Sequence, residues 1–137
     1  MATPSRNNTN PASYTVKFDG NGAPWAQSDK TIKTTRVWTF KGWATSASAT
    51  SANAAASYTS ATTVYAYWTY KDTLGTLTLP AAPSRPGYNF FGWATSASAT
   101  SGAAANSTVS ISSNVTYYAI WKPAGAIRVY VDDTKKY

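Results

Sequence analysis

The chain alternates large and polar residues in short runs separated by turn residues. Tyr14-Thr15-Val16-Lys17-Phe18 places Tyr14, Val16 and Phe18 on one face and Thr15 and Lys17 on the other, the period of a half-buried strand. Asp19-Gly20-Asn21-Gly22 follows at once and signals a turn or bulge. Alternation resumes at Arg36-Val37-Trp38-Thr39-Phe40, runs into Gly42-Trp43, and returns at Thr62-Thr63-Val64-Tyr65-Ala66-Tyr67-Trp68. Further on, residues 73–79 alternate, 80–87 turn, Tyr88-Asn89-Phe90 reads as a strand and 115–121 as another. The stretches 44–57 and 94–108 consist of Ala, Ser and Thr with few other residues and no large apolar residue at helical spacing. Ser and Thr compete with the helix for backbone hydrogen bonds, so these stretches are predicted to be long loops with at most a short helical turn.

The runs repeat. Phe40-Lys41-Gly42-Trp43-Ala44-Thr45-Ser46-Ala47-Ser48-Ala49-Thr50-Ser51 returns at residues 90–101 with eleven of twelve positions identical, at an offset of 50. Tyr65-Ala66-Tyr67-Trp68 is answered by Tyr118-Ala119-Ile120-Trp121, at an offset of 53. Such self-similarity marks a duplicated unit. The boundaries it predicts are a flexible arm over 1–13, one module over 14–69, a second over 70–122, and a terminal strand or hairpin over 123–137. A Gly inside a strand pattern marks a bulge or a close backbone approach. Gly42 and Gly92 are therefore expected to let Trp43 and Trp93 swing over the sheet, and these two with Trp68 and Trp121 are expected in the cores.

Composition changes the picture in two ways. Ser, Thr and Ala fill 61 of the 137 positions, and Leu, Ile, Val and Phe only 18, a share low enough to suggest disorder. Six Trp and ten Tyr offset this, because each buries a large area. The chain is mainly β, with cores built on rings. It also has no Cys, no His and no Glu, and its carboxylate side chains are Asp19, Asp29, Asp72, Asp132 and Asp133. Thiol chemistry, zinc fingers and iron–sulfur sites are excluded, and the usual general base is missing. No enzyme, no cofactor and no metal site is expected. Asp19-Gly20-Asn21-Gly22 lacks the acidic ligands that a calcium cage needs and is read as a turn.

Each copy resembles the Listeria–Bacteroides repeat, the internalin B-repeat family. Copy two carries Leu79-Pro80, Pro83, Arg85-Pro86-Gly87-Tyr88, Phe90-Phe91-Gly92-Trp93 and Tyr118-Ala119-Ile120-Trp121. Copy one carries Val16-Lys17-Phe18-Asp19-Gly20-Asn21-Gly22, Phe40-Lys41-Gly42-Trp43 and Tyr65-Ala66-Tyr67-Trp68. Copy one departs at residues 35–38, without Pro-Gly-Tyr, and copy two at its start, without the D-x-N-G turn. The resemblance implies two tandem small β-grasp-like (ubiquitin-like) modules without enzymatic activity, serving as spacers or adhesive units on bacterial or phage surfaces. It transfers no catalytic residue.

Charge and termini shape the functional expectations. The net charge is +7, spread along the chain with no basic run longer than two. Nucleic-acid binders concentrate such residues on one face, so nucleic acid is an unlikely partner, whereas a diffuse positive field suits an acidic protein lattice or cell wall. No apolar run reaches membrane-spanning length. Three functions remain open. The first is a virion surface protein of a phage (capsid decoration, head-fibre or tail accessory), suggested by a polar N-terminus without a signal-peptide pattern and by the short final hairpin. The second is a piece of a bacterial surface adhesin. The third is a carbohydrate-binding module using the rings least demanded by the repeat cores, Trp25, Trp38, Tyr58 and Tyr70. Residues 126–133 also alternate, with Ile127, Val129 and Val131 on one face. They read as an edge strand on copy two or as a docking strand for another chain. The partners so predicted are other virion or cell-surface proteins, host glycans or further copies of the chain.

Overall fold

The computed structural model describes residues 2–125. It contains eight strands: β1 (Ser13–Asp19), β2 (Lys30–Lys33), β3 (Thr35–Ala44), β4 (Tyr65–Thr73), β5 (Gly75–Thr78), β6 (Tyr88–Ala94), β7 (Thr108–Ile111) and β8 (Val115–Pro123). There is no helix among the described residues, so the Ala/Ser/Thr stretches are loops and the protein is mainly β. The docking strand expected at Ile127, Val129 and Val131 lies outside the described residues.

The compact units interleave along the chain. One unit takes the residues up to Ala12 together with Lys33–Leu74; the other takes Ser13–Ile32 and the chain from Gly75 on. The periods 14–69 and 70–122 therefore mark the sequence duplication but not the packing. The strand that opens copy one packs with copy two.

The first unit is built on an antiparallel hairpin, β3 with β4, in the register Phe40↔Trp68, Trp43↔Ala66 and Ala44↔Tyr65. Its ladder shifts between Phe40 and Gly42. Gly42 takes φ +127, and a Cβ there would sit 2.8 Å from the Ala52 methyl, which is why glycine holds the bulge. Phe40 stacks edge-on with Trp43 at 5.5 Å and Trp68 at 5.4 Å. The N-terminal arm joins the outer edge of β3 through paired backbone hydrogen bonds between Thr9 and Arg36.

The second unit contains the same hairpin with more around it. β6 pairs with β8 in the register Phe90↔Trp121, Trp93↔Ala119 and Ala94↔Tyr118, with the shift again at the glycine. Phe90 lies 5.4 Å from Trp93 and 5.6 Å from Trp121. Two matching registers, bulges and ring triangles establish the duplication in three dimensions. Here β8 also pairs on its other edge with β1, in parallel, from Val16↔Val115 to Asp19↔Tyr118. The sheet order is β2-β1-β8-β6, and β5 pairs with β7 alongside. Val16, Leu77, Leu79, Trp93, Ile111 and Ala119 form the buried cluster, with Tyr14, Phe18 and Trp25 packed against it.

The Asp19–Gly22 turn locks this arrangement. Asp19 Oδ1 accepts a hydrogen bond from the Asn21 backbone N–H at 2.7 Å, an Asx turn. Asn21 Nδ2 donates to the carbonyls of Ala119 (2.9 Å) and Ala97 (3.2 Å), and Trp121 Nε1 donates to Gly20 O at 2.8 Å. Arg85 reaches the Asn21 carbonyl at 3.4 Å. The turn that copy two lacks in sequence is supplied by residues 19–22.

Candidate functional surfaces

The aromatic residues singled out for ligand contact fall in three places. Trp38 and Tyr70 face each other across the β3–β4 ladder, edge to face at 5.1 Å. Arg6 from the arm covers the Trp38 ring, its guanidinium carbon 3.4 Å from the ring centroid, and Trp38 Nε1 donates to Thr9 Oγ1 at 3.2 Å. Arg36 lies 3.7 Å from the Tyr70 ring, yet Tyr70 remains 53% exposed. The arm therefore occupies the half-buried Trp38 face, and Tyr70 is the open ring of this pair. Tyr58 is exposed on the long loop, and its hydroxyl oxygen accepts the Ala55 N–H at 2.7 Å. Trp25 belongs to the other unit, where it is half-buried against Trp93 at 5.3 Å.

Charge on the first unit is held locally. Arg36 Nε and Nη2 donate to the two carboxylate oxygens of Asp72 at 2.8 and 2.9 Å. This bidentate geometry is the strong form of the ion pair. The Asp72 carboxyl lies below its ordinary range because it accepts these hydrogen bonds, and the Arg36 guanidinium is held above its own for the same reason. On the second unit, an open groove of about 600 Å3 is lined by Thr15, Lys17, Asp29, Asn114, Val115 and Thr116. Lys17 and Asp29 close on each other there at 2.7 Å, so the groove presents hydroxyls and an amide and little net charge. Burial raises the Tyr117 phenol above its ordinary value. Among the described residues, no three carboxylates gather as a metal site would need, and no helix is long and apolar enough to cross a membrane.

The surfaces that sequence reasoning missed are sheet edges. In the second unit both edges of β8 are paired, by β6 and β1. In the first, β4 pairs with β3 alone among the described residues. The duplication itself carried the signal, since the two copies end in matching strands and only one has a neighbour on each side.

Residues 69–120 match the family model of the Listeria-Bacteroides repeat domain, one repeat in extent. No curated protein and no solved structure gives a match. The matched segment runs from the middle of β4 through most of β8. The match spans less than half of the chain and shows a likeness to one repeat of that domain.

Proposed function

We propose that the protein is a non-catalytic structural and adhesive module that is displayed on a biological surface and engages other surface proteins through its sheets. The repeat at residues 69–120 carries this reading. It is supported by cores made of rings and small aliphatic residues and by titratable side chains that meet in solvent-exposed ion pairs such as Lys17–Asp29 and Arg36–Asp72. The family's occurrence favours a bacterial cell surface. A phage particle carrying the chain as a decoration, head-fibre or tail accessory is the alternative display site, and the net charge of +7 suits an acidic lattice in either place. Co-sedimentation of the purified chain with intact bacterial cells and, separately, with purified phage particles tests the reading. Salt-sensitive retention by one of the two is expected and assigns the surface. Retention by neither overturns the proposal.

A further inference from the structure

The two copies differ in one respect that the sequence duplication hides. By the offset of 53, Val115-Thr116-Tyr117-Tyr118 correspond to Thr62-Thr63-Val64-Tyr65. The first set is the part of β8 that pairs with β1. In the first unit, β4 begins only at Tyr65, and residues 62–64 have no strand structure. The last strand is thus shortened over the length where its counterpart has a parallel neighbour.

The rings next to this edge are incompletely served. Trp93 is 1% exposed and donates its indole N–H to Pro80 O at 2.9 Å; Trp121 donates to Gly20 O. Trp43 is only half-buried where Trp93 is buried, Trp68 is half-buried as Trp121 is, and neither the Trp43 nor the Trp68 indole N–H has an acceptor among the described residues. Tyr65 and Tyr70 on β4 are both exposed. A two-stranded hairpin is marginal without a further layer, and an exposed edge with aromatic neighbours is a template for another strand.

We infer that the β4 edge at residues 62–65 is a strand-acceptor site, and that its occupant is the segment 127–132 of a second copy of this chain. The segment has the pattern of the strand that fills the equivalent edge. Ile127-Arg128-Val129-Tyr130-Val131-Asp132 aligns with Tyr14-Thr15-Val16-Lys17-Phe18-Asp19, apolar residues facing apolar and Asp at the same place. Transferred from β1, the register sets Val129 opposite Thr62, Val131 opposite Val64 and Asp132 opposite Tyr65. β1 is already consumed by β8. The shortness of the connection argues for a second copy. Ala124, Gly125 and Ala126 alone separate Pro123, the end of β8, from Ile127, a tether of at most about 14 Å. The chain's own edge must lie within that reach, whereas another molecule can approach in any orientation. Each chain then carries one edge and one strand, a head-to-tail contact that grows into rings or filaments.

Light scattering on the full chain over a concentration series tests this. A mass that climbs beyond one chain with concentration is expected. Val129→Pro and Val131→Pro remove backbone donors from the strand and should each return the monomer mass, with a cooperative thermal transition retained. Val64→Pro spoils the edge. Mixing Val131→Pro chains with Val64→Pro chains should give a one-to-one dimer and nothing larger, since one brings only an edge and the other only a strand. If Val64→Pro misfolds, a synthetic peptide of residues 126–137 binding the Val131→Pro chain gives the same readout. A wild-type monomer at every concentration overturns the inference, including one whose 127–132 amides are protected by closure on its own chain. So does a Val131→Pro chain with wild-type mass.

Discussion

Trp93 and Trp43 occupy the same place in two copies of one motif and have different surroundings. Trp93 is enclosed by Phe18, Trp25 and Phe90, while Trp43 has Phe40 as its aromatic neighbour. Truncation should separate them. Trp93→Ala is expected to cost about 3–5 kcal/mol, the range for a fully buried large aromatic, and Trp43→Ala roughly half of that, both read by urea unfolding. Gly92 is stricter still. A Cβ there meets the Gly102 carbonyl carbon and oxygen at 2.5 Å, at φ +112, and backbone cannot rotate aside as a flexible side chain can. Gly92→Ala should therefore abolish the native circular dichroism of the second unit. The glycine-before-tryptophan bulge was legible in the sequence because it is a local matter of two residues. The clamp made by Asn21 was not, because its acceptors lie 76 and 98 residues away.

The Arg36–Asp72 pair gives a pH prediction at the same scale. The folded-state value for Asp72 lies below the ordinary carboxyl value. Its contribution to stability is therefore present above the unfolded-state value and fades as pH falls through the folded-state value, that is, below about pH 4. Asp72→Asn should flatten the acid limb of the melting temperature against pH and leave the neutral-to-alkaline limb unchanged. An unaltered acid limb would show that the pair is not held in solution.

At the scale of the element, the strands with period-two alternation, the four-residue β5 among them, were legible, and β2 and β7 were not. β2 and β7 have four residues each and sit among Ser, Thr and Lys, too few large side chains to set a period. The boundaries of β4 illustrate a second limit. Residues 62–64 alternate as well as 115–117 do, but a strand needs a neighbour, and among the described residues only the second set has one. Neighbours 99 residues apart leave no mark in a local pattern. Cutting the chain at residue 69 should therefore be more damaging than separating two tandem modules. The 70–137 piece loses β1, Phe18, Trp25 and Asn21, and should show no cooperative melt alone. Adding a peptide of residues 13–32 should restore one. A cooperative melt of 70–137 by itself would refute this.

At the scale of the whole molecule, the repeat family was visible in sequence because its fingerprint combines Arg-Pro-Gly-Tyr, Phe-x-Gly-Trp and Tyr-Ala-x-Trp within one copy, and residues 69–120 match it. The way the copies share strands was hidden. Each copy, taken as a continuous stretch, reads as a self-sufficient module. The fold instead lends the first strand of copy one to copy two and leaves copy one a strand short. Small domains bury a low fraction of their surface, so a missing strand is a large share of what a module of this size has to stabilise it. In the proposed adhesive role, the β4 edge would supply a means of association, and the diffuse positive charge adds long-range attraction to acidic surfaces without fixing a contact.

The parallel pairing of β1 with β8 is the claim on which the interleaved account stands, and hydrogen exchange read by mass spectrometry addresses it directly. The account predicts that amides of residues 14–19 and 115–119 exchange together, at the slow rate set by global unfolding of the second unit. Fast exchange of 14–19 beside a protected 115–119 would contradict it, and would return each strand to its own copy.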